Sequence, residues 1–460
     1  VEELHLLQKV VRGLGSDNVD FRLRQCDFSA DGKMSGVTWL GMNISEVSQL
    51  DRVLVIGSTL RKDHPLIAHR LRQAAKKALQ VNLLHAVDDD LLMRVANKAI
   101  VSPAAMVDTL AQIVKAIATV RGAAVPASVA NVQVAAAAQR IAGSLADGKN
   151  VAVVLGNFAQ HHAQAAQLHA HAQALAEMCG AKLGILGEAA NTVGAHVVHA
   201  LPSSGKNARD MLAQPLKAYV LLGVEPELDT HDPAQALAAM KQAELVVALS
   251  SFQHKAVDYA QVLLPIAPFT ETAGTFVNTE GRAQSFQGVV QPLGETRPAW
   301  KVLRVLGNLL GLAGFEHQSA DDVRVEALGA NGEKINKNNT LNLKSVVPSA
   351  GGGVQRIAET PIYAADALVR RAPSLQKTRD GEPPFASMNR ALAGKLGLRD
   401  GDQLRVSQGG GSAVVEYAID DHLPDECIRL AAARVETSGL GAASAPVTVE
   451  RVAMPQKVAV

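Results

Sequence analysis

The chain has 460 residues, too many for one hydrophobic core, and the usual ~150 residues per domain predicts about three structural units. Hydrophobic residues make up 48% and charged residues 19%, which is typical of a soluble globular protein. The formal net charge of +1 gives no reason to expect nucleic acid or an anionic membrane as a partner.

Membrane-spanning and secretory segments are not expected either. A span needs ~18 to 20 apolar residues, and the best candidate, 125–146, is interrupted by polar residues such as Asn131 and Arg140. The chain opens Val-Glu-Glu, without the basic and apolar regions of a signal peptide and without an initiating methionine. We therefore expect a piece of a longer or processed chain, with no direct membrane insertion.

Three strand–helix–strand units follow a first helix at residues 1–15. Short apolar strands at Arg52–Ile56, Asn150–Leu155 and Ala218–Leu222 each end in glycine and lead into a helix. Such alternation predicts parallel strands that are covered on both faces. Loops after these strands usually line ligand sites at the carboxyl edge of the sheet.

The carboxyl-terminal part of the chain has a different pattern. We expect an irregular linker at 316–375 and a β-rich domain at 376–460, with the α/β region divided into 1–145 and 146–315. Within the last domain, Ser387 is predicted to cap a short helix that ends at Gly397. Period-two strands are predicted at 403–407, 413–419 and 427–432, which together indicate a small barrel.

Three widely separated cysteines exclude a zinc ribbon and a four-cysteine iron–sulfur cluster, and an odd number suggests a reducing compartment. Cys26 has Arg22 and Arg24 nearby, and positive neighbours favour the thiolate that acts as nucleophile or metal ligand. Asp27 opposes that effect. The opposing interpretation is a small, partly buried apolar side chain.

Two other patterns suggest a metal site and a phosphate-binding loop, but their residues do not match the known motifs. His161, His162, His169 and His171 contain no i, i+4 pair, so a solvated helix face is expected instead of a metal site. Gly205-Lys206 lacks both the earlier glycine and the following Ser or Thr of a phosphate-binding loop.

The segment 263–284, Leu-Leu-Pro-Ile-Ala-Pro-Phe-Thr-Glu-Thr-Ala-Gly-Thr-Phe-Val-Asn-Thr-Glu-Gly-Arg-Ala-Gln, is more specific. Taken alone, its loop with Glu271, Asn278, Glu280 and Arg282 is expected to be held by its own hydrogen bonds and an ion pair. The segment resembles the "LP…E…GTF-N-EGR-Q" stretch of the molybdopterin oxidoreductase superfamily. His64-Pro65 and the pattern at 393–402 are similar to two other family motifs.

Within that superfamily, the chain most resembles the large iron–sulfur subunits of bacterial NADH:quinone oxidoreductases (complex I). The residues that carry this likeness lie at 15–25, 258–260, 265–284 and 292–308. The resemblance implies α/β domains of the molybdopterin oxidoreductase type with parallel sheets, followed by a small carboxyl-terminal barrel of the double-psi type.

The resemblance also implies a role. The chain is expected to be a cofactor-free scaffold with no catalytic, cofactor-binding or metal-binding residues of its own, and to belong to an enzyme only as a subunit. Clusters of the 2Fe-2S and 4Fe-4S types are implied in a missing amino-terminal region. The implied partners are other peripheral-arm subunits, including the flavin- and NADH-binding subunit, on the cytoplasmic side of the bacterial inner membrane.

The alternative is a molybdopterin-dependent catalytic subunit with Cys26 as the metal ligand. Departures from the family's cofactor-binding motifs argue against it: Gly57-Ser-Thr-Leu60, an acidic Ala86-Val-Asp-Asp-Asp90, Glu225 within Gly223–Pro226, and Ser250-Ser251. A free-standing nucleotide-binding or thiamine-type α/β module is a third possibility, but no phosphate-binding loop supports it.

Overall fold

In a computed structural model of the protein, residues 1–348 and 351–452 are described. They form two compact units, each assembled from discontinuous segments. The first unit contains Val1–Met42, Ile185–Pro226 and Gln235–Asn342; the second contains Asn43–Gly184, Glu227–Ala234 and the described residues from Leu343 onward. The division into four domains stays a prediction, and its ranges 316–375 and 376–460 include positions 349–350 and 453–460, which lie outside the described residues.

The strands of the described residues are short, as expected for alternating α/β structure and a small barrel. They are β1 (Arg52–Ile56), β2 (Gln80–His85), β3 (Asn97–Ile100), β4 (Val151–Leu155), β5 (Lys182–Ile185), β6 (Ala218–Leu222), β7 (Leu245–Ser250), β8 (Val262–Pro265), β9 (Gly274–Val277), β10 (Ala283–Phe286), β11 (Val354–Ile357), β12 (Ala386–Met388), β13 (Gln403–Gln408), β14 (Gly411–Ile419), β15 (Cys427–Arg429) and β16 (Pro446–Val452).

The α-helices of the same residues range from single turns to about four turns. They are α1 (Glu2–Gly13), α2 (Leu60–Asp63), α3 (Pro65–Ala75), α4 (Met106–Val120), α5 (Ala136–Ala146), α6 (Asn157–Gln160), α7 (Ala165–Cys179), α8 (Thr192–Val197), α9 (Ala208–Ala213), α10 (Pro226–Asp229), α11 (Pro233–Gln242), α12 (Ala299–Leu309), α13 (Ala320–Leu328), α14 (Ala367–Arg370), α15 (Pro373–Gln376) and α16 (Arg390–Lys395).

The second unit contains a five-stranded sheet in the order β3-β2-β1-β4-β5. The strand β1 pairs in parallel with both β2 and β4, and β2 pairs in parallel with β3. Residues 53–56 of β1 are at most 1% exposed, which explains why this strand is an unbroken apolar run. The predicted parallel α/β architecture is therefore confirmed.

Helix α4 packs against α5 and α7 in this unit. With the turn before it, Pro103–Val120 is the one helical stretch of the described residues that is long and apolar enough to cross a membrane. Of that stretch, 61% is buried within the described structure. Length and composition alone are weak evidence for a span, because core helices pass the same test.

The first unit contains a three-stranded parallel sheet in the order β6-β7-β8 and an antiparallel β9–β10 hairpin. Its largest fully buried side chain, Phe315, packs in an apolar cluster with Leu6 of α1 and Trp300 and Leu303 of α12. Helices α1 and α13 are also joined by polar contacts. The Glu326 carboxylate accepts hydrogen bonds from Lys9 Nζ at 2.6 Å, His5 Nε2 at 3.0 Å and His317 Nε2 at 2.6 Å.

Six strands of the second unit form a closed barrel in the order β11-β15-β12-β14-β13-β16, which confirms the predicted carboxyl-terminal barrel. Its pairing is mixed: β11 with β15 and β12 with β14 are parallel, while β13 pairs antiparallel with β14 and β16. The stretch 316–375, predicted as irregular, contains α13 and the barrel strand β11.

The predicted helix cap at Ser387 is wrong. Ser387 lies in β12, and the Asn389 side chain caps α16 by accepting a hydrogen bond from the Leu392 backbone N–H at 2.9 Å. Asparagine two residues later competes equally well for a cap, and β12 is needed to close the barrel. Gly397 follows α16 with φ +63°, in agreement with the predicted helix end.

Candidate functional site at the strand ends

The carboxyl ends of the strands are where parallel α/β sheets usually bind ligands. In the second unit, β1 is followed by Gly57, which has φ +58°. A Cβ at Gly57 would lie 2.6 Å from the Ala159 backbone nitrogen, and one at Gly156 would lie 2.7 Å from the Gly57 carbonyl oxygen. The space that glycine provides here is filled by the neighbouring loop of the chain itself.

An ion-pair network lies at the same edge, and it contains Arg429 of β15. The Arg429 guanidinium donates to both carboxylate oxygens of Asp89, at 2.9 and 3.1 Å, and from Nε to Glu359 at 2.7 Å. The Thr59 hydroxyl also donates to Glu359. Burial alone would lower the pKa of Arg429, but Glu359 and Asp89 together raise it above its usual value. We call Asp89, Glu359 and Arg429 the Arg429 network.

His85, the last residue of β2, lies beside this network. It is 2% exposed, and neither ring nitrogen has a hydrogen-bond partner within the described chain. Its Nε2 is 3.9 Å from the Glu359 carboxylate, and its ring meets Phe158 edge-on at 5.4 Å between centroids. Burial, the largest effect, lowers the pKa of His85, and Glu359 and Asp89 oppose that shift. The buried imidazole lies at the edge of the network.

A pterin dinucleotide, which the alternative interpretation requires, would bring phosphate groups to such an edge. The residues present do not fit it. Asp88, Asp89 and Asp90 follow β2, and the Asp88 carboxylate already pairs with Lys98 Nζ at 2.6 Å. Because two carboxylates surround Arg429, its charge is compensated before any anion arrives. The acidic character predicted from the sequence is therefore found at this edge, and no reaction step can be derived through that group.

The strand ends of the first unit also carry a buried acidic residue, together with a serine. Glu225, after β6, is 2% exposed, and Ser250, at the end of β7, is 7% exposed. The Ser250 hydroxyl donates to the Phe252 carbonyl at 2.9 Å and accepts from the Phe252 N–H at 3.1 Å. The serine therefore closes its own loop, which is a structural task.

Cys26 is half-buried and forms no disulfide. Arg22 pairs with both Asp20 and Asp31, with contacts of 2.8 and 2.5 Å, and Arg24 pairs with Glu188 at 2.9 Å. The two arginines that suggested an activated thiol are thus each compensated by carboxylates of the first unit. The positive environment expected around a reactive cysteine is reduced accordingly.

A second polar cluster surrounds the segment Gly15–Asp20, and the sequence did not reveal it. One carboxylate oxygen of Asp17 accepts from the consecutive N–H groups of Ser203, Ser204 and Gly205, at 2.7, 2.7 and 3.0 Å. Burial would raise the pKa of Asp17, but these bonds and Arg12 hold it well below its usual range. The Gly205-Lys206 loop, rejected as a phosphate site, is thus an anion cradle that holds an internal carboxylate.

The histidines near α7 are placed differently from the prediction. His162, His169 and His171 are buried, at 7%, 9% and 0% exposure, so the expected solvated helix face is wrong. His162 Nε2 contacts the Pro103 carbonyl at 2.9 Å, and His171 Nε2 contacts the Val346 carbonyl at 3.0 Å. Alanine-rich packing around α7 leaves room for imidazoles, and a backbone carbonyl contacts one ring nitrogen of each of these two histidines. Within residues 1–348 and 351–452, no group of three or more potential metal ligands comes together.

The loop of the family-like segment is held as predicted. Asn278 Oδ1 accepts from the N–H groups of Glu280 and Arg282 at 3.2 and 2.9 Å. The Arg282 guanidinium pairs with Glu280 at 3.1 Å. These side chains therefore shape the turn between β9 and β10.

Comparisons with known proteins agree with this arrangement. The model of the family described as "Molybdopterin oxidoreductase" matches residues 1–309. The G-type NADH-quinone oxidoreductase subunit of Mycobacterium bovis is 26% identical over 458 aligned residues, covering 91% of this chain and 53% of that protein. A putative formate dehydrogenase of Staphylococcus aureus is 29% identical over 123 residues, 26% of this chain and 12% of that protein. The chain thus spans about half the length, or less, of these curated relatives.

Among solved structures, acetylene hydratase from Pelobacter acetylenicus is similar with a TM-score of 0.60. The match covers 95% of this chain and 77% of that one, at 14% sequence identity. At this identity the likeness supports the fold alone.

Proposed function

The chain belongs to the molybdopterin oxidoreductase family, and on that premise we propose that it is a cofactor-free scaffold within the large iron–sulfur subunit of a bacterial NADH:quinone oxidoreductase. The observation that carries the proposal is the similarity to the mycobacterial NADH-quinone oxidoreductase subunit over 91% of this chain. The remaining half of such a subunit would carry 2Fe-2S and 4Fe-4S clusters that pass electrons from NADH toward quinone.

The composition of the strand ends supports a chain that holds no pterin dinucleotide. A phosphate dianion would meet the carboxylates at 88–90 and 359, and the Arg429 charge that could attract it is compensated by two of them. Bringing like charges together at a partly buried site is unfavourable, so the ligand would have to displace an existing ion pair. That competition supports the scaffold interpretation.

Assembly is the second part of the proposal. In this role the chain contacts other peripheral-arm subunits, including the flavin- and NADH-binding subunit, on the cytoplasmic side of the inner membrane. It binds no nucleic acid and enters no membrane. Its own contribution is to hold its folded surface in place while electron transfer takes place in the other half of the subunit.

Purification of the complete gene product from its own membranes tests this. A tagged chain is expected to co-purify with a flavin-containing NADH-binding subunit and with NADH:quinone reductase activity, and an untagged strain gives the background. Iron should be present, while molybdenum and tungsten stay far below one atom per chain. A tagged protein that brings down no NADH-binding subunit would contradict the proposal.

The alternative function is a molybdopterin-dependent oxidoreductase in which the Cys26 thiolate ligates the metal. It is favoured by one observation, the short match to a putative formate dehydrogenase. The same purification decides between the two. About one molybdenum or tungsten atom per chain, lost in a Cys26→Ala variant, would support this alternative.

A further inference from the structure

The Arg429 network has the components of an anion-binding site. A guanidinium offers five N–H donors in a planar arrangement that suits carboxylate or phosphate, and here it is used in bidentate fashion on Asp89. The group lies on β15 of the barrel and faces the carboxyl edge of the five-stranded sheet, where α/β proteins usually bind ligands.

Two features behind the guanidinium indicate a built site. His85 is almost entirely removed from solvent, yet both ring nitrogens lack partners in the described chain, with Nε2 directed at Glu359 3.9 Å away. The Thr59 hydroxyl, in the loop after β1, already donates to the same carboxylate. Donors from β15 and from the loop after β1 therefore converge on Glu359, and the unpartnered imidazole of β2 lies 3.9 Å from the same carboxylate.

An apolar base supports this arrangement. Ala86, Val87, Ile357 and Cys427 are all buried in one cluster, with Phe158 packed against it, and each lies within three residues of a member of the Arg429 network. The cluster joins the loop after β2 to β11 and β15, so Arg429 and Asp89 are held at fixed positions by packing that does not depend on their charges. Removing those charges should leave the geometry of the site in place.

We infer that this edge is an anion site whose occupant is internal: the carboxylates of Asp89 and Glu359 take the place of a phosphate-type ligand on Arg429, with His85 and Thr59 behind them. The inference rests on the proposed absence of a bound dinucleotide and explains it by competition. A free anion is excluded because two covalently attached carboxylates have a high effective concentration at the guanidinium. With those two charges removed, the site accepts an inorganic phosphate.

The test uses the double variant Asp89→Asn/Glu359→Gln of the complete chain, with inorganic phosphate as the probe. The amides keep the size and one acceptor oxygen of each carboxylate, so Arg429 stays hydrogen-bonded while its charge becomes available. Thermal unfolding is measured with millimolar phosphate against chloride at equal ionic strength. The double variant should gain a few degrees in Tm, about 2 to 4 °C at phosphate well above its Kd, and the unsubstituted chain none.

Two further proteins make the result specific. Adding Arg429→Met to the double variant should abolish the phosphate effect, while Asp421→Asn, which breaks the exposed Arg390–Asp421 pair of the same barrel, should produce none. The single Glu359→Gln variant, with a smaller phosphate effect expected, is used if the double variant fails to fold. Equal responses with and without Arg429, or no response in the folded variants, would overturn the inference. Neither outcome affects the co-purification that tests the proposed function.

Discussion

Gly307 is the position where the structure makes a counter-intuitive prediction. Replacing a glycine inside a helix by alanine normally stabilises it by about 1 kcal/mol, because alanine has the higher helix propensity. At Gly307 of α12, however, an added Cβ would lie 2.7 Å from Cδ2 of Phe315 and closer still to its Cγ and Cδ1. Phe315 is 1% exposed and enclosed by a cluster that includes Leu6 and Leu303, so the ring has no free space to enter.

Overpacking of this kind costs ~1 to 3 kcal/mol, and the clash with several ring atoms places Gly307→Ala at the upper end of that range. After the propensity gain is subtracted, we expect a net loss of about 1 to 2 kcal/mol in the free energy of unfolding of the first unit. Urea unfolding followed by tryptophan fluorescence measures it, because Trp39 and Trp300 both lie in that unit.

Two controls separate packing from propensity. Gly143→Ala in α5 has nothing within 4 Å of the added Cβ and should stabilise the second unit, as measured by circular dichroism. Adding Phe315→Leu to Gly307→Ala should recover part of the loss, because the smaller side chain relieves the contact. If Gly307→Ala is as stable as the parent chain, the reasoning about this helix contact fails.

Three further predictions concern polar and thiol groups. Burial would raise the pKa of Glu326, but Lys9, His5 and His317 lower it to about 2 from its usual 4.5, so its stabilising contribution is present above pH 4.5 and is lost as the pH falls toward 2. Because the Glu326 side chain is 38% exposed, Glu326→Gln should lower the free energy of unfolding by only about 1 kcal/mol at neutral pH. Unfolding measured over a range of pH should show no difference between the variant and the parent chain below about pH 2. Burial, with Asp425 and Glu426, raises the pKa of Cys427 to about 12, and burial also raises the pKa of Cys179. Iodoacetamide should therefore label Cys26 first in the native chain at mildly alkaline pH. Peptide mapping that finds Cys427 labelled first would contradict the barrel packing. Cys26→Ala should cost at most ~1 kcal/mol and leave NADH:quinone electron transfer of the assembled complex near normal, whereas loss of most activity in a folded, assembled complex would favour the metal-ligand alternative.

Most strands and helices of the fold were predictable because each depends on the pattern of residues that are adjacent in the chain. Apolar runs such as Arg52–Ile56 and Ala218–Leu222 coincide with β1 and β6. Residues 53–56 of β1 are all apolar because this strand is covered on both faces, whereas Val220 of β6 is 39% exposed. The return of 185–226 to the first unit could not be predicted in this way. Periodicity describes neighbours in the chain and contains no information on which sheet a strand will join.

The candidate site was predictable only in its charge. The acidic run at 88–90 was visible, but its partner Arg429 lies 340 residues from Asp89, and Glu359 lies 70 residues from Arg429. One local signal could have indicated it: Arg429 interrupts the apolar run Cys-Ile-Arg-Leu, and a charge in a buried strand requires a partner. The same argument applies to Arg356 in β11, which is 5% exposed and donates to the carbonyls of Leu430 and Ala431 at 3.1 and 3.0 Å.

The order of strands in the barrel also has a consequence for how the chain is synthesised. The strand β16 pairs with both β11 and β13, so the barrel cannot close on the ribosome until residues 446–452 have emerged. Until then β11 and β13 each present an unpaired edge, and exposed strand edges promote association with other chains. A premature stop shortly before position 446 would therefore leave a permanently open sheet. The expected fate of such a truncated product is aggregation and proteolysis, even though the α/β sheets before it are intact.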